Sequence, residues 1–354
     1  MDTALGTIIR QAKAALNPNV RLTIVCGLPK TIEIALFLCH SIRSAQAAEY
    51  KKLGRVQDLE RAGGEQMETI GSQTIWSIFD NEHDEPVIAS NSGVRRSDGH
   101  RVTSYVDLAR KVAALQFLNR EHVLLFRGQG TDYKNPAGLT TMKPTLFRPR
   151  RGRPNVSTNA LRSRFETLRT AETRLLSLYE GEELVGADRL ARHRLLRWSI
   201  LQHYDVCPTP LLDVSQSLRV AASFATVEED TEAFVYVLAV PNLSGAVTAS
   251  SEASMQIVRL SSACPPSAMR PHLQEGYLLG EYPEIYDVRP SGSYQQAEMD
   301  FGRRLVAKFS FIPRRFWRGD TFPRVAHRAL YPTGTRDPLE SLMAALKEEL
   351  ADSI

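Results

Sequence analysis

An arginine stands at the end of a segment with a strand-like pattern. The segment VLLFRGQG, residues 123–130, places four apolar residues before Arg127 and glycines close after it. Such an apolar run is typical of a buried strand, and arginine is seldom buried without a partner. Gly128 has no side chain, so a ligand could approach the backbone there. The pattern predicts that Arg127 holds a ligand that lies against the backbone at Gly128. In the alternative interpretation, Arg127 is a structural arginine paired with Asp213.

Three further polar residues lie where a helix is predicted to lead into a short strand and a second helix. The segment QHYDVCPTPLLDVSQSLRVAASFAT, residues 202–226, contains His203, Asp213 and Ser215. Ser217 is a candidate N-cap for LRVAASFA, whose small residues allow close packing. Structural roles are equally available: a helix-end histidine, a turn-holding aspartate and capping serines. A hydrolytic Ser-His-Asp triad is disfavoured, because neither serine has the GxSxG frame of a nucleophile elbow.

A third stretch, MRPHLQEGYLLGEY at residues 269–282, places Gln274 and Glu275 before a glycine and an apolar strand. A polar pair at a strand entrance could face a cleft, or it could form an exposed loop. Adjacent strand residues point to opposite faces, so we expect only one of the two side chains to point inward.

The composition is that of an ordinary globular protein. The 354 residues are 43% hydrophobic and 24% charged, with a net charge of +4. No window approaches 18 consecutive apolar residues, so no membrane span is predicted. The first residues, MDTALGTIIRQAKAAL, lack the pattern of a signal peptide. The four cysteines form no CxxC pair, so we expect no metal site and a reducing, cytoplasmic location.

Positive charge is concentrated in one stretch of the chain. Residues 143–165 contain seven Lys or Arg residues and no acid. Such a patch can contact phosphates, which makes these residues candidates for nucleic-acid binding: Lys143, Arg148, Arg150, Arg151 and Arg153. The alternative is a solvated loop balanced by the acidic segment EGEELVGAD, residues 180–188.

The N-terminal region differs from the rest of the chain. VRLTIVCG (20–27) is predicted to be a buried strand, and KTIEIALFLCHSI (30–42) an amphipathic helix. The turn between them lacks the GxxxxGK[ST] spacing of a phosphate-binding loop. The strand and helix indicate a small α/β region, and the polar, glycine-containing segment NSGVRRSDGHRV (91–102) is a plausible boundary between it and a second domain.

In the second domain, helices are predicted before strands. Ser104 and Asp107 have the spacing of a capping box, and helical periodicity recurs over 161–179 and 187–203. Four short apolar or alternating segments follow (AFVYVLAV, MQIVRL, EGYLL and LVAKFSFI), and SLMAALKEEL closes the chain as a helix. The grouping predicts an α+β fold.

The motifs, taken in order, resemble the FRG domain family. They are FRG at 126–128, QHY at 202–204, PTPLLDVS with SLRVAASFA behind it, and QEG at 274–276. The tail LYPTGTRDPLESLMAAL is similar to the usual ending of the family, so the resemblance covers residues 103–345. Residues 1–95 lie outside it, and we interpret them as a small N-terminal α/β accessory domain. The chain departs from the pattern at Pro210, where the family usually has Arg, and at Val214, where it has Trp. DVCPT also replaces a glycine-containing GLPT.

The layout of that family looks like that of ADP-ribosyltransferases, which implies helices followed by a mostly antiparallel β core. The likeness implies that Arg127, with Gly128 and Gln129, binds NAD as the substrate. Ser215 would support the site, and Gln274 or Glu275 would act on the ribose. His203 and Asp213 would shape the pocket.

The resemblance thus implies a toxin or antiviral defence effector that modifies a protein or nucleic acid, or an NAD glycohydrolase. Two alternatives remain. One is a non-catalytic module that binds a nucleotide or a partner. The other is a nucleic-acid-binding regulator led by the basic residues, whose affinity would fall steeply with salt.

Overall fold

A computed structural model describes most of the chain beyond its N-terminal region: residues 75–149, 153, 155–226, 232–288, 300–318, 322–333 and 337–352. The chain divides into two compact units, residues 1–64 and 65–354. All described residues belong to the second unit. The predicted strand 20–27 and helix 30–42 lie outside the described residues, and the predicted domains stay predictions.

Short strands and helices alternate along the described chain. The strands are β1 (Trp76–Ser77), β2 (Val87–Ile88), β3 (His100–Arg101), β4 (Val123–Gln129), β5 (Leu212–Ser215), β6 (Ala233–Val240), β7 (Val247–Ser250), β8 (Met255–Arg259), β9 (Gly276–Glu281) and β10 (Leu305–Phe311). The helices are α1 (Asn91–Arg96), α2 (Tyr105–Leu118), α3 (Thr158–Gly181), α4 (Ala187–Arg192), α5 (Arg194–His203), α6 (Leu218–Ala225), α7 (Leu260–Ala263), α8 (Met269–Leu273), α9 (Pro313–Phe316), α10 (His327–Leu330) and α11 (Pro338–Asp352).

The main sheet has eight strands within the described residues, in the order β3-β10-β6-β4-β5-β9-β8-β7. Neighbouring strands are antiparallel except β3 and β10, which are parallel. β1 and β2 form a separate antiparallel pair. The α+β class with a mostly antiparallel sheet is confirmed.

The middle of the sheet is covered on both faces. Every residue of β6 is buried, which explains its unbroken apolar run. On one face, Leu115 of α2 and Ala222 of α6 share an apolar cluster with Val235. Tyr236 and Leu238 belong to the cluster on the other face. The small residues of α6 therefore pack closely on the sheet, as predicted.

Most predicted helices are confirmed, with one break and one addition. Ser104 caps α2 by accepting a hydrogen bond from the Asp107 amide at 3.2 Å. The single helix predicted over 187–203 is wrong: α4 and α5 are separated at His193, whose backbone is extended. The polar segment that begins at Asn91 contains helix α1, which Ser90 caps. Among the described helices, none combines the length and apolar character that a membrane span requires.

Candidate functional site

A cleft of about 420 Å³ opens where β4 and β5 separate. β4 pairs with β6 along its whole length, but it pairs with β5 only between Phe126 and Ser215. The cleft brings together residues from the strands, from the ends of α5 and α8, and from α6: Arg127, Gly128, His203, Asp205, Asp213, Ser215, Phe224, Arg270, Gln274 and Tyr331.

Arg127 lies at the point where the two strands separate. Its Nη1 donates a hydrogen bond to the backbone carbonyl of Asp213 at 2.5 Å, so the side chain bridges strands whose backbones no longer pair. Its Nε is buried and has no hydrogen-bond partner among the described residues. Burial, reinforced by the charge of Arg148, lowers the pKa of Arg127 to about 10. The guanidinium therefore stays positive at neutral pH and keeps one donor available.

The Asp213 carboxylate is oriented by a chain of polar side chains behind it. Its Oδ2 accepts a hydrogen bond from Gln202 Nε2 at 2.6 Å. The Oε1 of Gln202 in turn accepts one from the Thr209 hydroxyl at 2.6 Å. The Asp213 side chain is 36% exposed, so it presents a fixed negative group to the cleft. The alternative interpretation, in which Arg127 is a structural arginine paired with Asp213, is thus partly met: the hydrogen bond goes to the backbone carbonyl of Asp213 and not to its carboxylate.

His203 closes the inner wall of the cleft at the end of α5. The residue is buried, and its Nδ1 lies 3.7 Å from Asp213 Oδ1, too far for a hydrogen bond. Its Nε2 is buried without a partner in the described structure. Burial lowers the pKa of His203; Asp213 opposes this shift and Arg270 adds to it. The imidazole is therefore neutral at pH 7.

Ser215 is engaged in structural hydrogen bonds. Its hydroxyl donates to the Gln274 carbonyl at 2.7 Å and accepts from the Ser217 amide at 3.0 Å. These contacts join the end of β5 to the end of α8 and the start of α6. Ser217 caps α6 as predicted, by accepting from the Val220 amide. Ser215 lines the cleft but holds its wall together.

Gln274 and Glu275 precede β9 and do not belong to the strand. Gln274 ends α8, and its buried side chain donates to the Leu330 carbonyl at 2.7 Å. Glu275 has a left-handed backbone (φ 45°) and an exposed side chain. Gln274 lines the cleft, whereas Glu275 is not among the lining residues. Only one of the two side chains therefore lines the cleft, as expected, but the cause is the turn that they form and not the alternation of side chains along a strand.

The two residues after Arg127 have packing roles. A Cβ at Gly128 would lie 1.8 Å from the Ala221 carbonyl oxygen, so the glycine allows helix α6 to pack closely on β4. Gly128 also lines the cleft, and its contact with a ligand stays a prediction. Gln129 pairs with Phe234 in the ladder, and its Oε1 is buried without a partner in the part of the chain described. Gln129 is not among the residues that line the cleft.

A family model, that of the FRG domain, matches residues 122–233. This segment matches the FRG domain family. The match includes Arg127, His203, Asp213 and Ser215, and it supports the resemblance drawn from the motifs. The FRG-domain match ends before Gln274, so the likeness of the later segments stays a prediction. No curated protein and no solved structure matches the chain.

Two charged residues of the cleft were not identified from the sequence. Arg270 of α8 is 8% exposed and lies over the rings of Tyr204 and Tyr331. Asp205 is paired with it, at 3.2 Å between Oδ2 and Nη2. Asp205 has φ 53° and stands in the DVCPT segment, where the FRG pattern has glycine. That departure was the available signal for Asp205, since glycine favours positive φ.

The basic residues lie in different places. The Nε of Arg148 donates to the Lys143 carbonyl at 2.8 Å, and the Arg148 charge contributes to the lowered pKa of Arg127. One member of the basic stretch is therefore close to the cleft. Arg153 is exposed. Arg150 and Arg151 lie outside the described residues.

Replacement of His203 is expected to change the pH dependence of stability. Because its folded-state pKa lies below the ordinary 6.5, the unfolded chain takes up the proton first as pH falls. Wild-type protein should lose stability through this group as pH falls from 6.5 to 5.5, by at most about 1 kcal/mol, and His203→Asn should lack that loss. Urea denaturation at pH 7.5, 6.5 and 5.5 measures the difference. The matched control is His193→Asn, at an exposed position. Equal slopes for wild type and His203→Asn would contradict the prediction.

Proposed function

We propose that the FRG domain binds NAD in the cleft and cleaves it, transferring ADP-ribose to a macromolecule or to water. The observation that carries the proposal is the Arg127 guanidinium beside the oriented carboxylate of Asp213, since the buried Nε of Arg127 has no hydrogen-bond partner among the described residues. A planar guanidinium is the preferred partner of phosphate groups. Asp213 is a fixed negative group in the same cleft.

The chemistry requires a negative group near the ribose. In the proposed reaction the bond from ribose C1′ to nicotinamide breaks, and nicotinamide leaves with the electron pair. The ribosyl cation that develops resembles the transition state of glycoside cleavage. A nearby carboxylate stabilises it electrostatically, and the incoming nucleophile then bonds to C1′ and loses its proton to water. Because Glu275 does not line the cleft, we assign this role to Asp213.

A second candidate function is favoured by a specific observation. Ser215 and Gln274, which the resemblance assigned to catalysis, both use their side chains in hydrogen bonds to the backbone. A module that binds the nucleotide without cleaving it needs only the arginine side of the cleft. A toxin or defence role belongs to the catalytic proposal, because only that one modifies a target.

The test uses the full chain with NAD labelled on the adenylate, alone and with a cell lysate. Arg127→Ala and Asp213→Asn are compared with wild type, and products are divided between protease and nuclease digestion. We expect label on a macromolecule or free ADP-ribose, with at least roughly tenfold less product from either variant. Arg110→Ala, at a side chain 78% exposed on α2, is the matched control and should behave as wild type.

The outcomes separate the two candidates. Intact NAD, together with calorimetric binding that Arg127→Ala abolishes, would leave the binding module. Intact NAD without binding would contradict both. Product formation that is unchanged in Arg127→Ala and Asp213→Asn would place the chemistry elsewhere in the protein.

A further inference from the structure

Arg270 is a second buried cation in the cleft, and it is held by aromatic rings. Its guanidinium carbon lies 4.7 Å from the ring centre of Tyr331 and 5.1 Å from that of Tyr204. Such contacts attract a cation and fix the plane of the guanidinium group. The side chain is therefore rigid before any ligand arrives.

The hydrogen-bonding capacity of this cation is not filled within the described protein. Its Nε is buried and has no partner among the described residues. Asp337, which is also buried, accepts from the Arg270 backbone amide, from the Tyr204 hydroxyl and from the Glu340 amide. Among the described residues, the carboxylate within ion-pair distance of the guanidinium is that of Asp205, whose side chain is 66% exposed. A buried donor without an acceptor costs free energy, so an arriving acceptor would be favoured.

Arg127 and Arg270 face the same space. Both line the cleft of about 420 Å³ and both have a buried Nε without a partner in the described part of the chain. His203 also lines this space. Its Nδ1 lies 3.7 Å from the carboxylate of Asp213, the residue whose backbone carbonyl accepts a hydrogen bond from Arg127. Phe224 and Tyr331 add aromatic surface to the same cleft. Two guanidinium groups and aromatic surface suit a ligand with two phosphates and a planar base.

We infer that Arg127 and Arg270 together bind the pyrophosphate of a nucleotide. In the free protein the Asp205 carboxylate forms an ion pair with Arg270, and the ligand displaces this carboxylate when it binds. The inference deepens the proposed function, on which it rests for the choice of NAD as the nucleotide. Asp205 has φ 53°, a conformation that Asn adopts as readily as Asp. The charge at this position can therefore be removed without a change in the turn.

Calorimetric titration of the full chain with ADP-ribose, AMP and inorganic pyrophosphate tests the assignment. Wild type should bind ADP-ribose at least roughly tenfold more tightly than AMP, because a second charge-assisted contact is made. Arg270→Lys keeps the charge but loses the planar fork, and it should remove most of that preference. Asp205→Asn should bind ADP-ribose and pyrophosphate several-fold more tightly than wild type, about three- to tenfold.

The results also separate this inference from the proposed function. Equal affinity of wild type and Arg270→Lys for ADP-ribose would overturn the inference, even if NAD were cleaved in an Arg127-dependent way. Binding of ADP-ribose that depends on Arg270 would support it, even if NAD stayed intact. Thermal unfolding shows whether Arg270→Lys is folded. If it is not, Asp205→Asn decides: tighter binding supports the inference, and unchanged or weaker binding overturns it.

Discussion

Gly128→Ala is expected to destabilise the protein by about 3 kcal/mol or more, because the added methyl group meets backbone and not a flexible side chain. The new Cβ would lie 1.8 Å from the Ala221 oxygen and 2.8 Å from the Ala225 nitrogen. Neither atom can move unless helix α6 leaves its place on β4. The displaced helix also carries Phe224 of the cleft wall. Both stability and ligand binding should therefore fall together.

Thermal unfolding followed by circular dichroism measures this loss, with an expected drop of the midpoint by roughly 6 °C or more. Gly181→Ala is the matched control, because Gly181 ends helix α3 and a Cβ there meets nothing within 4 Å. It should unfold within about 1 kcal/mol of wild type. If the unfolding midpoint of Gly128→Ala is as high as that of Gly181→Ala, helix α6 does not pack on β4 as closely as described.

Gly128 shows which features of the site can be predicted from neighbouring residues and which depend on contacts with distant parts of the chain. Four apolar residues before Arg127 predict the strand correctly, because strand formation depends on the pattern of neighbours. The reason for the glycine is a helix that begins 90 residues later in the chain. No local pattern encodes that contact, so the sequence alone left the space open for a ligand.

The later half of the site was harder to predict for a related reason. Arg270 carries no periodic signal, and its backbone partner Asp337 is 67 residues away. Gln274 and Glu275 were identified as a polar pair before a predicted strand, a pattern that gives their position in the chain but not the turn that they form. The left-handed backbone of Glu275 turns its side chain out of the cleft, and a non-glycine residue rarely adopts that conformation.

A second large effect is expected at Lys308 in β10. Its side chain is fully buried, and its Nζ donates to Asp132 at 2.8 Å, to the Thr140 hydroxyl at 2.9 Å and to the Ser97 carbonyl. Lys308→Met should destabilise the protein by about 3–5 kcal/mol, because the Asp132 side chain, 9% exposed, would keep only the more distant Lys134, at 3.9 Å, as an opposite charge among the described residues. Urea denaturation of the variant and wild type at pH 7 measures the difference.

The cause of that loss can be isolated with a double variant. Asp132→Asn keeps an oxygen for the Tyr236 hydroxyl, which lies 3.1 Å from Asp132, but it removes the charge. Lys308→Met/Asp132→Asn should therefore recover about half of the stability that Lys308→Met loses. A double variant as unstable as the sum of the two single variants would show that the pair does not act as a unit.

The Lys308–Asp132 ion pair is connected to Arg127 in the cleft through Tyr236 of the intervening strand. Lys308 lies opposite Tyr236 in the β10–β6 ladder, and Tyr236 lies opposite Arg127 in the β6–β4 ladder. The three residues thus form one row across three strands, with Asp132 joining the first two. At temperatures where Lys308→Met is still folded, we expect its affinity for ADP-ribose to match wild type, since no atom of Lys308 lines the cleft. A parallel loss of affinity and stability would instead mean that the row positions the Arg127 guanidinium directly.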